Sequence, residues 1–166
     1  MSRFIMTHVI GRASTRWAVL VLATMGLTAC GDDNPFQVIE ETEFAASLGI
    51  DLASMEELPS GVYIQEIELG TGVEAMAGDM VDVDYVGWLA DGTQFDAFDG
   101  AGFQLITGPG GVIAGFRDGI VGMLVGGTRL MVIPPDQAYG ERGSGNVIPP
   151  GAILVFRVTL NAVETP

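Results

Sequence analysis

The sequence predicts an α+β domain in which a curved antiparallel sheet of five to six strands wraps around one short helix. Three observations carry this reading. Twenty of the 24 glycines and seven of the eight prolines lie in residues 59–166, interleaved with short apolar runs, the texture of many strands joined by tight turns. Most of those runs alternate with period two, so each strand has one core face and one wetter face. Only residues 114–125 switch to helical spacing, and a lone helix among strands is buried by a sheet that curves around it.

The elements follow in chain order. Residues 63–69 read as a strand whose parity changes between Ile64 and Ile67, which suggests a bulge. In the next strand Val81, Val83 and Tyr85 alternate with Asp82 and Asp84. Ala90-Asp91-Gly92-Thr93 then forms a turn between strands, its Asp-Gly pair supplying positive φ. Phe116, Ile120, Met123 and Leu124 place one apolar stripe on a helix over residues 114–125, with Arg117 and Asp118 outward and Gly126-Gly127 as its stop. Residues 128–133 form another strand. In the last, Leu154, Phe156, Val158 and Leu160 face the core and alternate with Val155, Arg157, Thr159 and Asn161.

Ahead of this domain lie two segments of different character. Residues 1–29 carry Arg3, Arg12, Arg16 and no acid, and the apolar run 17–29 is too short for a bilayer-spanning helix, which needs about 20 apolar residues. A basic start, a short apolar core and small residues before Cys30 make a cleavable signal peptide. Leu27-Thr28-Ala29-Cys30 resembles the lipobox of bacterial lipoproteins, which implies that Cys30 is lipidated and that the protein is anchored to a bacterial membrane, on its periplasmic or another extracytoplasmic face. An ordinary signal peptide with a chance cysteine is the alternative. Residues 30–58 then hold the lipidated cysteine and an acidic tether with no base, read mainly as a solvated stalk. Phe44, Leu48, Leu52, Met55 and Leu58 also recur at spacings of three and four, which fits one or two short amphipathic helices docked on the domain or on a partner.

Composition limits the chemistry. Beyond residue 29 there are four arginines, no lysine and no histidine against 21 acids, a formal charge of −17. Nucleic acid is not an expected partner, because phosphate binding needs clustered Lys and Arg. Without histidine, and with Cys30 as the single cysteine, His-based triads, Cys-His nucleophiles, Schiff-base lysines and His- or Cys-ligated zinc are excluded from the mature chain. No cofactor or metal is implied, and monomer is the expected state. Carboxylate chemistry or catalysis by a shaped apolar pocket remains.

Three stretches are too particular for scaffold alone: Val83-Asp84-Tyr85-Val86-Gly87-Trp88-Leu89 followed by Asp91-Gly92-Thr93-Gln94-Phe95-Asp96; Gly108 to Phe116; and Ala138-Tyr139-Gly140 with Asn146-Val147-Ile148-Pro149-Pro150-Gly151. In this order and spacing, residues 59–166 closely resemble the FKBP family of peptidyl-prolyl cis/trans isomerases. The resemblance implies a hydrophobic cleft between the concave face of a half-wrapped sheet and the helix, open to an Xaa-Pro segment of polypeptide. By position, Tyr85, Phe95, Asp96 and Phe103 would form one wall. Val112 and Ile113 would precede the helix, with the backbone N–H of Ile113 as donor to the bound carbonyl. Phe116, where Trp is usual, would be the floor, and Tyr139, Ile148 and Phe156 the remaining sides. Tyr85, Phe95, Asp96, Phe116 and Tyr139 are the implied catalytic residues; Phe103, Val112, Ile113, Ile148 and Phe156 the implied substrate contacts. Against the family pattern, the 95–103 segment is shorter, Leu105 stands where an aromatic is common, and the flap around Gly143-Ser144-Gly145 lacks a large apolar tip.

Taken singly, Tyr85, Phe116 and Phe156 are ordinary core positions and Asp96 an ordinary turn carboxylate. Only their joint pattern points to a site. Such a pocket has work to do, because rotation about a peptide bond costs about 18–20 kcal/mol. The planar amide is the more charge-separated and better hydrated form, so an apolar pocket that strips water favours the twisted state. Lowering the barrier by about 5 kcal/mol would accelerate exchange several thousandfold. The expected function is isomerisation of Xaa-Pro bonds in exported polypeptides at the cell envelope. A non-catalytic polypeptide-binding chaperone or assembly lipoprotein, and a merely displayed scaffold, are the competing readings.

Overall fold

The computed structural model describes residues 36–105 and 111–164; within the first span, the side chains of Ala101 and Phe103 lie outside the description. The expected signal peptide over residues 1–29, Cys30 and residues 108–110 of the glycine-rich stretch also lie outside it. Six strands make one antiparallel sheet in the order β1-β2-β5-β6-β3-β4: β1 (Glu56–Glu57), β2 (Tyr63–Glu68), β3 (Met80–Leu89), β4 (Gln94–Gln104), β5 (Thr128–Ile133) and β6 (Leu154–Glu164). One helix, α1 (Ala114–Ile120), lies against it.

Strand parity builds the concave core. Val81 and Val83 of β3, Met131 and Ile133 of β5, and Leu154, Phe156, Val158 and Leu160 of β6 pack together with Phe116 and Ile120 of α1. The register of β2 against β5 shifts between Glu66 and Glu68, the bulge that the parity change predicted. The β3–β4 hairpin turns at residues 90–93, where Gly92 has φ +87 and closes a hydrogen bond from its N–H to Leu89 O at 2.9 Å.

Two glycines let α1 sit close to β5. A Cβ on Gly115 would come within 2.2 Å of Ile133 Cγ2, and one on Gly119 within 2.2 Å of Met131 Sδ. The helix stops at Ile120 rather than continuing to Val125: Val121 leaves the helical region at ψ 132 and Gly122 takes φ +85. Residues 122–125 instead bond to the 73–75 segment, through Gly122 N–H to Ala75 O, Ala75 N–H to Met123 O and Val125 N–H to Val73 O, each at 2.9 Å. The carbonyls freed at the helix end are met by Arg129, which is 5% exposed. It donates to Gly119 O at 2.7 Å and Val121 O at 3.3 Å, and pairs with Glu66 on the neighbouring strand.

The acidic segment is not the solvated stalk expected from its charge. Residues 36–55 lie as a strap of short 3-10 turns over the convex face, burying Ile39 and Leu48 against Tyr63, Leu130, Val132, Ile153 and Val155. The wetter face of β6 is therefore a second core at Val155, and wet only further on. Removing a large aliphatic side chain from water is worth about 1.5–3 kcal/mol, enough to hold the strap down, and its acids point outward. Strap and sheet belong to one compact unit.

Candidate active site

Three strands and two loops converge on a cleft of about 510 Å³ at one end of the concave face. β3 contributes Tyr85, β4 Phe95 and Asp96, and β6 Phe156; Gly111 to Ala114 and Phe116 border it from the helix side, and Tyr139 from the loop after β5. The pleat explains the sheet contribution. Tyr85 and Phe156 both fall on the inward parity of their strands, and at the next step Gly87 pairs with Phe156 on one side and Asp96 on the other.

The aromatic rings form one edge-to-face cluster with Phe156 at its centre. Phe156 lies 5.2 Å from Phe116, 5.5 Å from Phe95 and 5.8 Å from Tyr85, at interplanar angles of 72°, 88° and 69°. Tyr85 and Phe116 meet at 5.5 Å and 73°. These geometries set the positive edge of one ring on the negative face of the next. Gly87 is what makes the cluster possible: a Cβ there would lie 2.7 Å from Phe95 Cζ and 2.9 Å from Phe156 Cε1. Sequence reasoning assigned Gly87 no role, though a glycine inside a strand signals close approach of another group.

One polar pair stands in this apolar wall. The Tyr85 hydroxyl donates to Asp96 Oδ2 at 2.7 Å, while Asp96 Oδ1 accepts the N–H of Ala97 at 2.9 Å. Burial, then the hydrogen bond and negative charge of Asp96, push the Tyr85 hydroxyl well above its ordinary value. Burial and the same carboxylate raise Tyr139 too. Both hydroxyls stay neutral, so the rings add no charge to the cleft. Ile113 is extended, at φ −61 and ψ 149, immediately before the first helical turn. Its N–H therefore has no partner within the helix, and the residue itself borders the cleft.

Eight of the ten cleft residues implied by the resemblance thus line one cavity: Tyr85, Phe95, Asp96, Val112, Ile113, Phe116, Tyr139 and Phe156. Ile148 does not line it. It is 6% exposed and joins the concave core, turned inward by a two-way backbone bridge with Ser144, at 2.9 and 3.1 Å. Phe103 sits in β4 opposite Val81, with its side chain outside the described atoms. Gly111 and Ala114 complete the lining. Among the described residues no group of three or more His, Cys, Asp or Glu is placed to hold a metal ion.

Comparison with known proteins agrees with this geometry. Residues 72–161 match the family model for FKBP-type peptidyl-prolyl cis-trans isomerase. An FK506-binding protein of Neisseria meningitidis serogroup B is 44% identical over 102 residues, which is 60% of this chain and 94% of the relative. Among solved structures, a peptidyl-prolyl cis-trans isomerase from Pseudomonas syringae superposes with a TM-score of 0.64 at 36% identity, covering 72% of this chain and 87% of that one. FkpA from Escherichia coli superposes at 0.61 and 36% identity, over 67% of this chain and 52% of that one. The strand order, the aromatic cleft and these matches agree, and the chain belongs to the FKBP-type peptidyl-prolyl cis-trans isomerase family.

Proposed function

We propose that this isomerase acts on Xaa-Pro segments of exported polypeptides at the cell envelope, as a monomer held to a bacterial membrane by lipid on Cys30, and that its cleft works by desolvation. The observation that carries the mechanism is the aromatic cluster around Phe156, with the Tyr85–Asp96 hydrogen bond as its fixed polar feature. A prolyl ring seated on Phe116 and Phe156 would leave water behind, and the planar amide loses more hydration than the twisted one. The pocket so favours the twisted state, which is differential binding of the transition state. The Ile113 N–H can hold the carbonyl on the far side of the rotating bond. No proton need move, which suits a lining whose tyrosines remain neutral. Basic residues 1–16, a short apolar run and Leu27-Thr28-Ala29-Cys30 support the envelope location.

The test is cis/trans exchange in a short Xaa-Pro peptide followed by NMR. The protein accelerates exchange; Phe116→Ala lowers kcat/KM at least tenfold, and Glu141→Ala, on an exposed turn outside the cleft lining, leaves it unchanged. Equal effects of the two substitutions would remove the assigned cleft. Shifted peptide resonances at an unchanged exchange rate would leave a polypeptide-binding module. For the anchor, Cys30→Ser abolishes incorporation of labelled fatty acid; undiminished label would reject lipidation.

A further inference from the structure

We infer that the strap is a clasp that positions both walls of the cleft from the opposite face of the sheet, with Gln37 and Ala45 as its working contacts. This rests on the cleft assignment above. Gln37 donates its backbone N–H to Gly151 O at 3.0 Å, and its side-chain Oε1 accepts the N–H of Ile153 at 3.0 Å. One residue thus brackets the chain where the loop that carries Tyr139 returns into β6. The other end of that loop, at Pro134 and Pro135, borders the same groove as Gln37 and Ile39. One end of the Tyr139 loop is therefore bonded to the strap, and the other faces the same short stretch across a groove.

Further along, the strap reaches the second wall. Ala45 donates its N–H to Ala90 O at 2.9 Å, and a Cβ on Gly92 would come within 3.0 Å of Ala45 Cβ. This turn leads directly into Phe95 and Asp96. The two walls are thus held at their bases by a segment that contributes no residue to the cleft lining. Irregular loops are the parts of a fold that open most readily, and misplacing a binding wall by about 1 Å can cost up to about a hundredfold in rate. Gln37 and Ala45 are accordingly positioning residues.

The loops contain their own reporters, since the amides of Ser144, Ile148 and Gly151 are hydrogen-bonded within the Tyr139 loop and those of Leu89 and Gly92 within the β3–β4 turn. Gln37→Leu removes the acceptor at similar size, whereas Gln37→Glu keeps a carboxylate oxygen for Ile153. Ala45→Pro removes the donor at a residue whose φ of −57 suits proline. In hydrogen exchange on the full-length protein, Gln37→Leu should speed the Ser144, Ile148 and Gly151 amides about tenfold without changing the paired amides of β3 and β6, and lower kcat/KM about fivefold. Gln37→Glu should behave as the parent, and Ala45→Pro should speed Leu89 and Gly92 instead. Loop amides exchanging as in the parent would overturn the clasp, as would uniform acceleration across the sheet or a Gln37→Glu variant as impaired as Gln37→Leu. If the parent proves inactive, the isomerase assignment falls while these amides still decide the clasp.

Discussion

Tyr85 combines two contributions that substitution can separate. Its ring belongs to the aromatic cluster, and its hydroxyl holds Asp96. Tyr85→Phe keeps the first and deletes the second, leaving an exposed carboxylate oxygen for water to satisfy. Stability should change little, and kcat/KM should fall about three- to tenfold, the worth of a hydrogen bond to a charged group discounted for its exposure. A loss as large as that of Phe116→Ala would mean that the hydroxyl acts directly on the reacting amide. Burial of the hydroxyl, together with the same bond, sets a pH expectation. The folded state holds the Tyr85 proton more tightly than the unfolded chain does, so its contribution is fully present below the ordinary tyrosine value of about 10 and is lost as pH rises through the higher folded value. Tyr63, bonded to Glu40, and Tyr139 are raised as well, and these are the chain's three tyrosines. Tyrosinate absorbance should therefore develop only above about pH 10, with activity flat from neutrality to that point; a half-amplitude transition at the ordinary value would defeat this account. At this scale the gathering of Tyr85, Phe95, Asp96, Phe116 and Tyr139 was legible because their motifs are distinctive, and Phe156 followed by position from the resemblance those motifs carry. Gly87 was not, because its effect depends on two rings brought in by other strands.

Among the elements, α1 shows which features a sequence pattern can carry. Its apolar stripe and start were readable, but its end was not: Gly126-Gly127 looked like the stop, whereas Gly122 and the hydrogen bonds of residues 122–125 to the 73–75 segment end it earlier. Those partners lie some 50 residues away in sequence, beyond the reach of local periodicity. Strand faces were readable for the opposite reason, since a period of two is local. The helix–sheet contact makes a prediction in which two effects oppose. In a helix, Gly→Ala gains up to about 1 kcal/mol of propensity. At Gly115 the new methyl would sit 2.2 Å from Ile133 Cγ2, a stiff branched side chain in a buried strand. Overpacking of a well-filled core costs about 1–3 kcal/mol, so the clash wins and Gly115→Ala is net destabilising by about 1–2 kcal/mol. Denaturant unfolding measures this directly, and a neutral or stabilised variant would show that α1 is free to slide on β5.

For the whole molecule, composition gave the acidic charge correctly and its consequence for the strap wrongly. Repulsion favours an extended tether, but the strap's apolar residues at three- and four-residue spacings, the pattern that also allowed docking, found a second core on the convex face, whose residues lie far outside the strap. Nineteen of the 21 acids lie within residues 36–164, against four arginines. Of these, Arg117 is paired with Asp118, Arg129 with Glu66, and Arg157 lies 5.6 Å over the Trp88 ring. Two opposing salt effects follow. Screening weakens the ion pairs, worth about 0–1 kcal/mol each where exposed. It also relieves repulsion among the far more numerous acids, which at about 0.01 M salt acts over about 30 Å and at 1 M over only about 3 Å. The second effect outweighs the first, so the thermal midpoint should rise by several degrees as sodium chloride is added to a low-salt buffer. Because screening saturates once the Debye length is shorter than the spacing of neighbouring carboxylates, most of the gain should be complete by about 0.3 M. A neutral osmolyte, which acts by exclusion from the surface, should stabilise in proportion to its concentration instead. A midpoint that falls with salt, or climbs linearly as with the osmolyte, would mean that the acids are spaced too widely for their repulsion to matter to folding.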